Sequence, residues 1–137
     1  MIVQWNINGL NLHKLDLEKL ISDTKAVIVC IQESHLKPTM NFKINNFQVF
    51  RNDYVDGTIA CGGVCLLVHS SIPREPININ TELQALAIKI FKPFPLSICN
   101  IYLPPGKYFS DTQLNAICSQ LHGPYILLGD FNSKSDR

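Results

Sequence analysis

Four short runs of apolar residues along the chain each end in polar side chains. The runs cover residues 2–5, 27–31, 98–101 and 126–128, and they lead into NING, QESH, YLPP and GDFN respectively. Short aliphatic and β-branched runs that are bounded by Gly, Pro or Asn are typical of β-strands. Strands that all end in oxygen-bearing side chains predict a metal and phosphate site at one edge of a sheet.

The whole pattern predicts one α/β domain, a mixed sheet with helices packed outside it. Strands are predicted over residues 2–7, 26–31, 47–51, 62–69, 83–91, 96–102 and 125–128. The strand at 26–31 is apolar on both faces, which indicates a central, covered position.

Two helices are predicted between these strands. The first is capped by Asn11 and ends near residue 23. The second is capped by Ser110 or Asp111. Their apolar stripes are Leu12, Leu15, Leu20 and Ile21 for the first, and Leu114, Ile117, Cys118 and Leu121 for the second.

Length and charge limit the possible functions. At 137 residues the chain has room for one core. Only 17% of its residues are charged, against about 25% in a typical domain, which indicates surface that is normally covered. The net charge of +1 gives no overall attraction to nucleic acid, so phosphate binding would need a local cluster or a metal ion.

The cysteines predict buried free thiols rather than a disulfide framework. Their number, five, is odd, and Cys30 and Cys99 lie inside apolar runs. Cys61 and Cys65 lack a second Cys or His pair at zinc-binding spacing. The sequence shows no signal peptide and no apolar run of membrane-spanning length. These features predict a soluble intracellular protein.

The polar strand ends supply the candidate chemistry, each with an ordinary structural alternative. Glu33 directly follows an apolar run and offers the hard oxygen that Mg²⁺ prefers, or is simply an exposed carboxylate. Asn6 and Asn8 would share a face if the strand continued through both, although Asn-x-Asn-Gly is also good turn chemistry. Asp130 and Asn132 have the same spacing and the same alternative. Acyl-transfer and nucleotide-binding motifs are absent from the sequence.

Four motifs, WNINGL, IQESHL, NIYLPPG and GDFN, resemble the endonuclease/exonuclease/phosphatase superfamily in order and spacing. The segment RNDYVDGTIACGGVCLLVHSSIP is similar to the branch found in non-LTR retrotransposon endonucleases. The resemblance implies the N-terminal half of a four-layer α/β sandwich with a mixed sheet and flanking helices. It also implies Mg²⁺, with Mn²⁺ as a substitute, held by Glu33, with Asn6 as a metal or phosphate contact and supporting roles for Asn8 and His35.

The resemblance assigns the phosphate side of the site to residues on the last strands. Asp130 would orient or deprotonate the attacking water, or protonate the leaving oxygen. Asn132 would hold the scissile phosphate. Tyr102 would reach the same phosphate with its hydroxyl, although a buried strand-end tyrosine is the plain alternative.

The implied activity is DNA nicking by a nuclear endonuclease fused to a reverse transcriptase; the alternative within the fold is a lipid or inositol phosphatase. Relatives continue past GDFN with a further aspartate and a closing Ser-Asp-His motif. Residues 1–137 are therefore interpreted as a single partial domain, truncated after that motif. The competing hypothesis is an inactive transposon remnant that at most binds metal or nucleic acid. Half a sandwich would also expose an apolar sheet face, which predicts self-association.

Overall fold

A computed structural model describes residues 1–132 of the chain. The helices and strands are, in chain order, β1 Ile2–Asn6, α1 Lys14–Thr24, β2 Ile28–Gln32, β3 Phe47–Asn52, β4 Val55–Asp56, β5 Ile59–Ala60, β6 Val64–His69, β7 Arg74–Ile77, β8 Gln84–Ile90, β9 Leu96–Tyr102, α2 Asp111–Gln120 and β10 Tyr125–Asp130. Every predicted strand and both predicted helices are present, which confirms the α/β class.

Eight of these strands form two mixed four-stranded sheets. The first has the order β1-β2-β6-β3 and the second has the order β10-β9-β8-β7. The edge strands β1 and β10 run parallel to their neighbours, whereas the other pairs are antiparallel. Strands β2 and β9 are buried at every position, as expected of central strands that are covered on both faces.

The two sheets pack face to face, and one helix lies on each outer face. Ile28, Leu66 and Ile98 belong to the apolar cluster between the sheets. Leu17 of α1 packs on the first sheet and Ile117 of α2 packs on the second. This order of helix, sheet, sheet and helix confirms the four-layer sandwich. The expectation of a bare sheet face is wrong, because the chain supplies strands to both sheets and their facing surfaces cover each other.

Helix α1 begins later than predicted. Residues 10–13 form a turn, and the helix starts at Lys14 with His13 in the N-cap position and no side-chain cap. The Asn11 amide donates instead to the Met40 sulfur at 3.5 Å. The predicted Asn11 cap is therefore wrong.

The buried face of α1 also differs from the predicted stripe. Leu12 and Leu15 are each 80% exposed, while Leu17 is fully buried. Ile21 packs against the same apolar cluster as Leu17. Leu17 and Ile21 are four residues apart and so share one face of the helix, whereas Leu12 lies in the preceding turn.

Helix α2 confirms the second helix prediction. The Ser110 hydroxyl accepts from the Gln113 backbone N–H at 3.2 Å, and the Gln113 side chain accepts from the Ser110 backbone N–H at 2.9 Å. This reciprocal pair is a capping box. Ser110 is thus the cap, and Ile117 is the fully buried residue of the helix.

Three short strands lie outside the prediction. Strands β4 and β5 have two residues each, too few to show periodicity. Strand β7 reads Arg-Glu-Pro-Ile, and charges and Pro depress strand propensity. Such residues are nevertheless suited to an exposed edge, which is the place of β7 in its sheet.

All five cysteines are free, and Cys30, Cys65 and Cys99 are buried, whereas Cys61 and Cys118 are partly exposed and depart from the predicted burial. In the part of the chain that the structure describes, no helix is long and apolar enough to cross a membrane.

Candidate active site

Four strands end at the same rim of the sandwich, and their last residues define it. Within the first sheet, Asn6 at the end of β1 pairs with Gln32 at the end of β2. Within the second, Asp130 at the end of β10 pairs with Tyr102 at the end of β9. Because both pairs are parallel, the carboxyl ends of the two strands lie side by side within each sheet. Strands β1 and β10 also contact each other across the two sheets, which brings the two pairs together.

A cluster of polar side chains joins the two sheets at this rim. The Asn6 amide nitrogen donates to Glu33 Oε1 at 3.1 Å and to Asp130 Oδ2 at 2.7 Å. The Tyr102 hydroxyl donates to Glu33 Oε1 at 2.8 Å. Both carboxylates therefore lie within hydrogen-bond distance of one nitrogen atom. The structure brings together Asn6, Glu33, Tyr102 and Asp130, four of the residues singled out from the sequence.

The backbone around Glu33 adopts a left-handed conformation that non-glycine residues rarely use. Glu33 has a φ of 53° and His35 a φ of 52°. Each such residue costs about 1–3 kcal/mol and persists only where its surroundings enforce the conformation. The surroundings here include the Gly9 N–H, which donates to the Glu33 carbonyl at 2.9 Å, and the Gly62 carbonyl, which accepts from the His35 N–H at 3.0 Å. Strained backbone of this kind is concentrated at functional sites.

Gly129 allows β10 to deliver Asp130 to the cluster. It has a φ of 151°, and a Cβ placed there would lie only 1.8 Å from the Ile101 carbonyl oxygen. No other residue could occupy this position without moving β9 and β10 apart. The Gly in GDFN is therefore required by the close approach of these two strands.

Tyr102 and His35 each contact the Glu33 carboxylate. Burial, followed by the Glu33 hydrogen bond, raises the pKa of Tyr102, so its hydroxyl remains a donor throughout the ordinary pH range. His35 Nε2 lies 3.5 Å from Glu33 Oε2.

Asn8 and Asn132 do not join the cluster. Strand β1 ends at Asn6, and Asn8 is exposed with a φ of 50°, so the strand alternation that would align them stops before Asn8. Asn132 has a φ of 45°, and its amide donates to the Leu103 carbonyl at 2.6 Å. Its backbone N–H donates to Asp130 Oδ1 at 3.0 Å, the Asp-x-Asn turn geometry named as the alternative.

A buried polar network beneath the rim was not anticipated from the sequence. The Gln32 amide accepts from Gln4 at 3.0 Å and donates to the Asn100 side-chain oxygen at 2.6 Å. The Asn100 amide donates to the carbonyls of Ile31 and Cys65, each at 2.9 Å. Gln32 and Asn100 are fully buried, and they join the two sheets directly below Glu33. The sequence signal for this network was Asn100, a polar residue inside the apolar run of residues 98–101.

The donor set fits a hard divalent cation. Within residues 1–132 neither Glu33 nor Asp130 has a Lys or Arg partner, so the two carboxylates converge without a permanently charged basic side chain beside them. The same residues contain no group of three or more His, Cys, Asp and Glu side chains that could hold a metal. A site with few carboxylates suits Mg²⁺, which usually keeps waters and binds substrate phosphate as further ligands.

The four-layer sandwich and its rim place the chain in a known class of α/β proteins. The chain belongs to the endonuclease/exonuclease/phosphatase family, whose sequence profile matches residues 3–137. Among curated proteins, no sequence matches the chain significantly.

Solved structures share this fold at low sequence identity. The endonuclease domain of TRAS1, a telomere-specific non-LTR retrotransposon, superposes with a TM-score of 0.71 at 20% identity, covering 97% of this chain and 61% of that one. The 3'-5' exonuclease NExo from Neisseria meningitidis gives 0.67 at 19% identity, with 95% and 57% covered. An AP endonuclease from Archaeoglobus fulgidus gives 0.63 at 18%, with 96% and 56% covered. The chain thus spans about three fifths of the length of these proteins.

Proposed function

We propose that the rim is the metal-binding side of a phosphodiesterase site that acts on DNA. The observation that carries the proposal is the convergence of Glu33 and Asp130 on the Asn6 amide, without a Lys or Arg partner within residues 1–132. Cleavage of a phosphodiester requires stabilisation of negative charge on the phosphoryl group, and a cation held by Glu33 would supply it.

Glu33 is proposed as the principal Mg²⁺ or Mn²⁺ ligand, with Asn6 as a second oxygen ligand through its carbonyl. The metal ion, when bound, polarises the phosphoryl oxygen and stabilises the leaving oxygen. Tyr102 holds the Glu33 carboxylate by its 2.8 Å hydrogen bond and leaves the other carboxylate oxygen for His35. Hydrogen-bond partners of a metal-ligating side chain fix its orientation and contribute to metal affinity.

Asp130 is proposed to orient or deprotonate water, or to protonate the leaving oxygen, from the opposite sheet. Its Oδ2 faces Asn6 and its Oδ1 accepts from the Asn132 backbone. Asn132 is proposed to hold the scissile phosphate, which requires its amide to leave the Leu103 carbonyl when substrate binds. Asn8, exposed beside the rim, is proposed to support the loop that carries Asn6.

DNA is the proposed substrate because of the retrotransposon-like loop from Arg51 to Gly63. Similarity to the TRAS1 endonuclease domain, and to a 3' phosphatase NExo structure bound to a product DNA hairpin, supports this choice. In this proposal the domain nicks nuclear target DNA and works beside a reverse transcriptase. A phosphatase acting on lipid or inositol phosphates is the second candidate, because the family includes phosphatases.

We further propose that residues 1–137 alone form a partial domain whose hydrolysis is impaired. His35 contacts Glu33, and within residues 1–132 no histidine forms a hydrogen bond or ion pair with Asp130. Loss of a catalytic base or positioning group typically lowers the rate by about 10²–10⁴-fold. The chain would then retain metal binding and weak nucleic-acid binding without efficient turnover.

Metal binding and hydrolysis are tested on one set of variants: the wild type, Glu33→Ala, and the exposed control Glu18→Ala on α1. Electron paramagnetic resonance of Mn²⁺ should show binding by the wild type and Glu18→Ala, and affinity about tenfold or more lower in Glu33→Ala. Equal Mn²⁺ affinity in all three chains would contradict the proposed role of Glu33 as a metal ligand.

The same chains are incubated with supercoiled plasmid and with phosphoinositides in Mg²⁺. We expect no nicking above background from the 137-residue chain. Efficient nicking by the wild-type chain that is lost in Glu33→Ala would contradict the proposed impairment. It would still support the proposed endonuclease function. Phosphate release from the phosphoinositides alone would favour the phosphatase.

The open edges of the two sheets also support self-association. Strand β1 contains no charged residue or Pro, and β10 carries one charge, Asp130, at its end. The two strands contact each other on one side of the sandwich. Beside β1 lies a groove of about 430 Å³, lined partly by Val3, Trp5 and Leu20. We propose that a second copy of the chain can cover this side.

A further inference from the structure

A short hairpin rises from the rim next to the polar cluster. This rim hairpin comprises residues 53–61 and includes β4 and β5. It leaves β3 after Asn52 and enters β6 at Val64, the residue that pairs with Gln32. Immediately after the hairpin, the Gly62 carbonyl accepts from the His35 N–H at 3.0 Å. The hairpin is therefore attached directly to the segment that carries Glu33.

Two large apolar side chains stand on one face of the rim hairpin. Asp56 pairs with Ile59 across the hairpin, and the Cys61 N–H donates to the Tyr54 carbonyl at 3.0 Å. Opposed residues of an antiparallel pair, and residues two apart in a strand, point to the same face. Tyr54, Asp56, Ile59 and Cys61 therefore share a face. Tyr54 is 51% exposed and Ile59 is 70% exposed.

This face borders the candidate active site. Cys61, at the base of this face, directly precedes Gly62 and Gly63, whose carbonyls accept from the His35 N–H at 3.0 Å and the Ser34 N–H at 3.2 Å, in the two residues that follow Glu33. A nucleic acid with a phosphate at the rim would therefore pass beside the base of the rim hairpin.

The charges of the rim hairpin do not suit phosphate. Its charged side chains are Asp53 and Asp56, and it contains no Lys or Arg. The neighbouring Arg51 pairs with Asp53 at 2.6 Å, and its other donors bond the Lys37 and Met40 carbonyls, each at 2.7 Å. A nucleobase, in contrast, offers an apolar face for stacking and amino groups that donate to a carboxylate.

We propose that Tyr54, Asp56 and Ile59 contact nucleobases beside the scissile phosphate and make the rim hairpin a determinant of target choice. Tyr54 stacks on a base, Ile59 inserts as an apolar wedge, and Asp56 accepts a hydrogen bond from an amino group of cytosine or adenine. The inference rests on the proposed action on DNA. It differs from that proposal in attributing base contact, rather than phosphate contact, to these residues.

The test compares two single-stranded oligonucleotides of equal length in Mg²⁺, one with all its bases and one fully abasic. Fluorescence anisotropy measures their binding to the 137-residue chain. We expect the wild type to prefer the base-bearing strand by about tenfold, which is typical of one or two stacked bases. The double variant Tyr54→Ala, Ile59→Ala should lose this preference and bind the abasic strand like the wild type.

Three controls separate base contact from other effects. Tyr54→Phe retains an aromatic face and should keep the preference. Phe94→Ala, which removes an exposed aromatic at the opposite end of the sandwich, should also keep it. Glu33→Ala should weaken binding of both strands and leave the preference intact. If Glu33→Ala left Mg²⁺-dependent binding unchanged, the proposed function would fail on metal dependence, independently of the base preference.

The inference is overturned if the wild type binds both strands equally, including no binding to either. It is also overturned if the double variant keeps the preference. A change in oligomeric state without a change in DNA preference would assign the exposed face to protein contact instead, and would equally overturn it.

Discussion

Asn6 is the residue that makes the rim a candidate metal site rather than an ion pair. Its amide donates to both Glu33 and Asp130, which holds two carboxylates close together without adding positive charge. A lysine there would neutralise the pair and compete with any cation. An amide leaves the negative charge available, and its carbonyl oxygen offers a further hard ligand.

Three thiols away from the rim give the protein a predictable response to alkali. The pKa values of Cys30, Cys65 and Cys99 rise from 9.0 to about 12, chiefly because burial disfavours the thiolate. In the unfolded chain these thiols ionise near their ordinary pKa, so their contribution to stability is complete below pH 9 and is lost as the pH rises towards 12. We expect urea titrations under reducing conditions to show a loss of up to about 1.4 kcal/mol per pH unit for each thiol.

Replacing single cysteines separates this effect from general alkaline damage. Cys30→Ala should make the free energy of unfolding decline less steeply with pH, because one ionising thiol is removed. The control Leu15→Ala, which removes a non-ionisable side chain that is 80% exposed, should leave the slope unchanged. Equal slopes for both variants would refute the assignment to buried thiols.

At the scale of strands, the sequence pattern located residues at the ends of strands. It did not predict the side-chain orientation of residues that lie two positions beyond a strand end. Glu33 follows β2 directly, and Asn6, Tyr102 and Asp130 are the last residues of β1, β9 and β10. The ends of the strand runs marked these positions, and the family resemblance supplied the roles of Tyr102 and Asp130. Asn8 and Asn132 follow their strands by two residues, where a positive φ has ended the alternation. Periodicity predicts orientation only while the backbone remains extended.

The polar network between β2 and β9 was not predicted from the sequence, for a different physical reason. Its partners, Gln32 and Asn100, lie on different sheets, 68 residues apart in sequence, and only packing brings them together. No local pattern contains that information. Strand propensity and burial were readable from the sequence, whereas the pairing of two buried amides was not.

Strand β9 therefore has a specific role in joining the sheets, through Asn100. Asn100→Ala would leave the buried Gln32 donor and two backbone carbonyls short of a partner, and each unsatisfied buried group costs about 1–3 kcal/mol. We expect the free energy of unfolding to fall by about 2–4 kcal/mol, measured by urea denaturation. Asn115→Ala, on the exposed face of α2, should change it by less than about 0.5 kcal/mol. A comparable loss in both variants would contradict the bridging role.

For the molecule as a whole, the two sides of the sandwich differ in how their edges are protected. On one side β7 contains Arg74, Glu75 and Pro76, and β3 contains Arg51. Charged residues and Pro on edge strands discourage pairing with another chain. On the other side β1 has no such residue, and β10 has one only at its end. Within residues 1–132, one side of the sandwich is thus protected and the other is open. The uncovered surface consists of strand edges, whereas the sequence had predicted a sheet face.

The open side predicts self-association that a charge placed on it can prevent. Ile2 on β1 and Ile126 on β10 are partly exposed, lie away from the rim, and would be covered by a second copy. Lysines at these positions would leave buried, unpaired charges in such an interface, which is strongly unfavourable. In sedimentation velocity, the wild type should form dimers or larger species, and the Ile2→Lys, Ile126→Lys variant should be mostly monomeric. Phe94→Lys, at an exposed apolar position in the β8–β9 turn, should associate like the wild type. A monomeric wild type, or equal dissociation by Phe94→Lys, would show that the edges are not the interface.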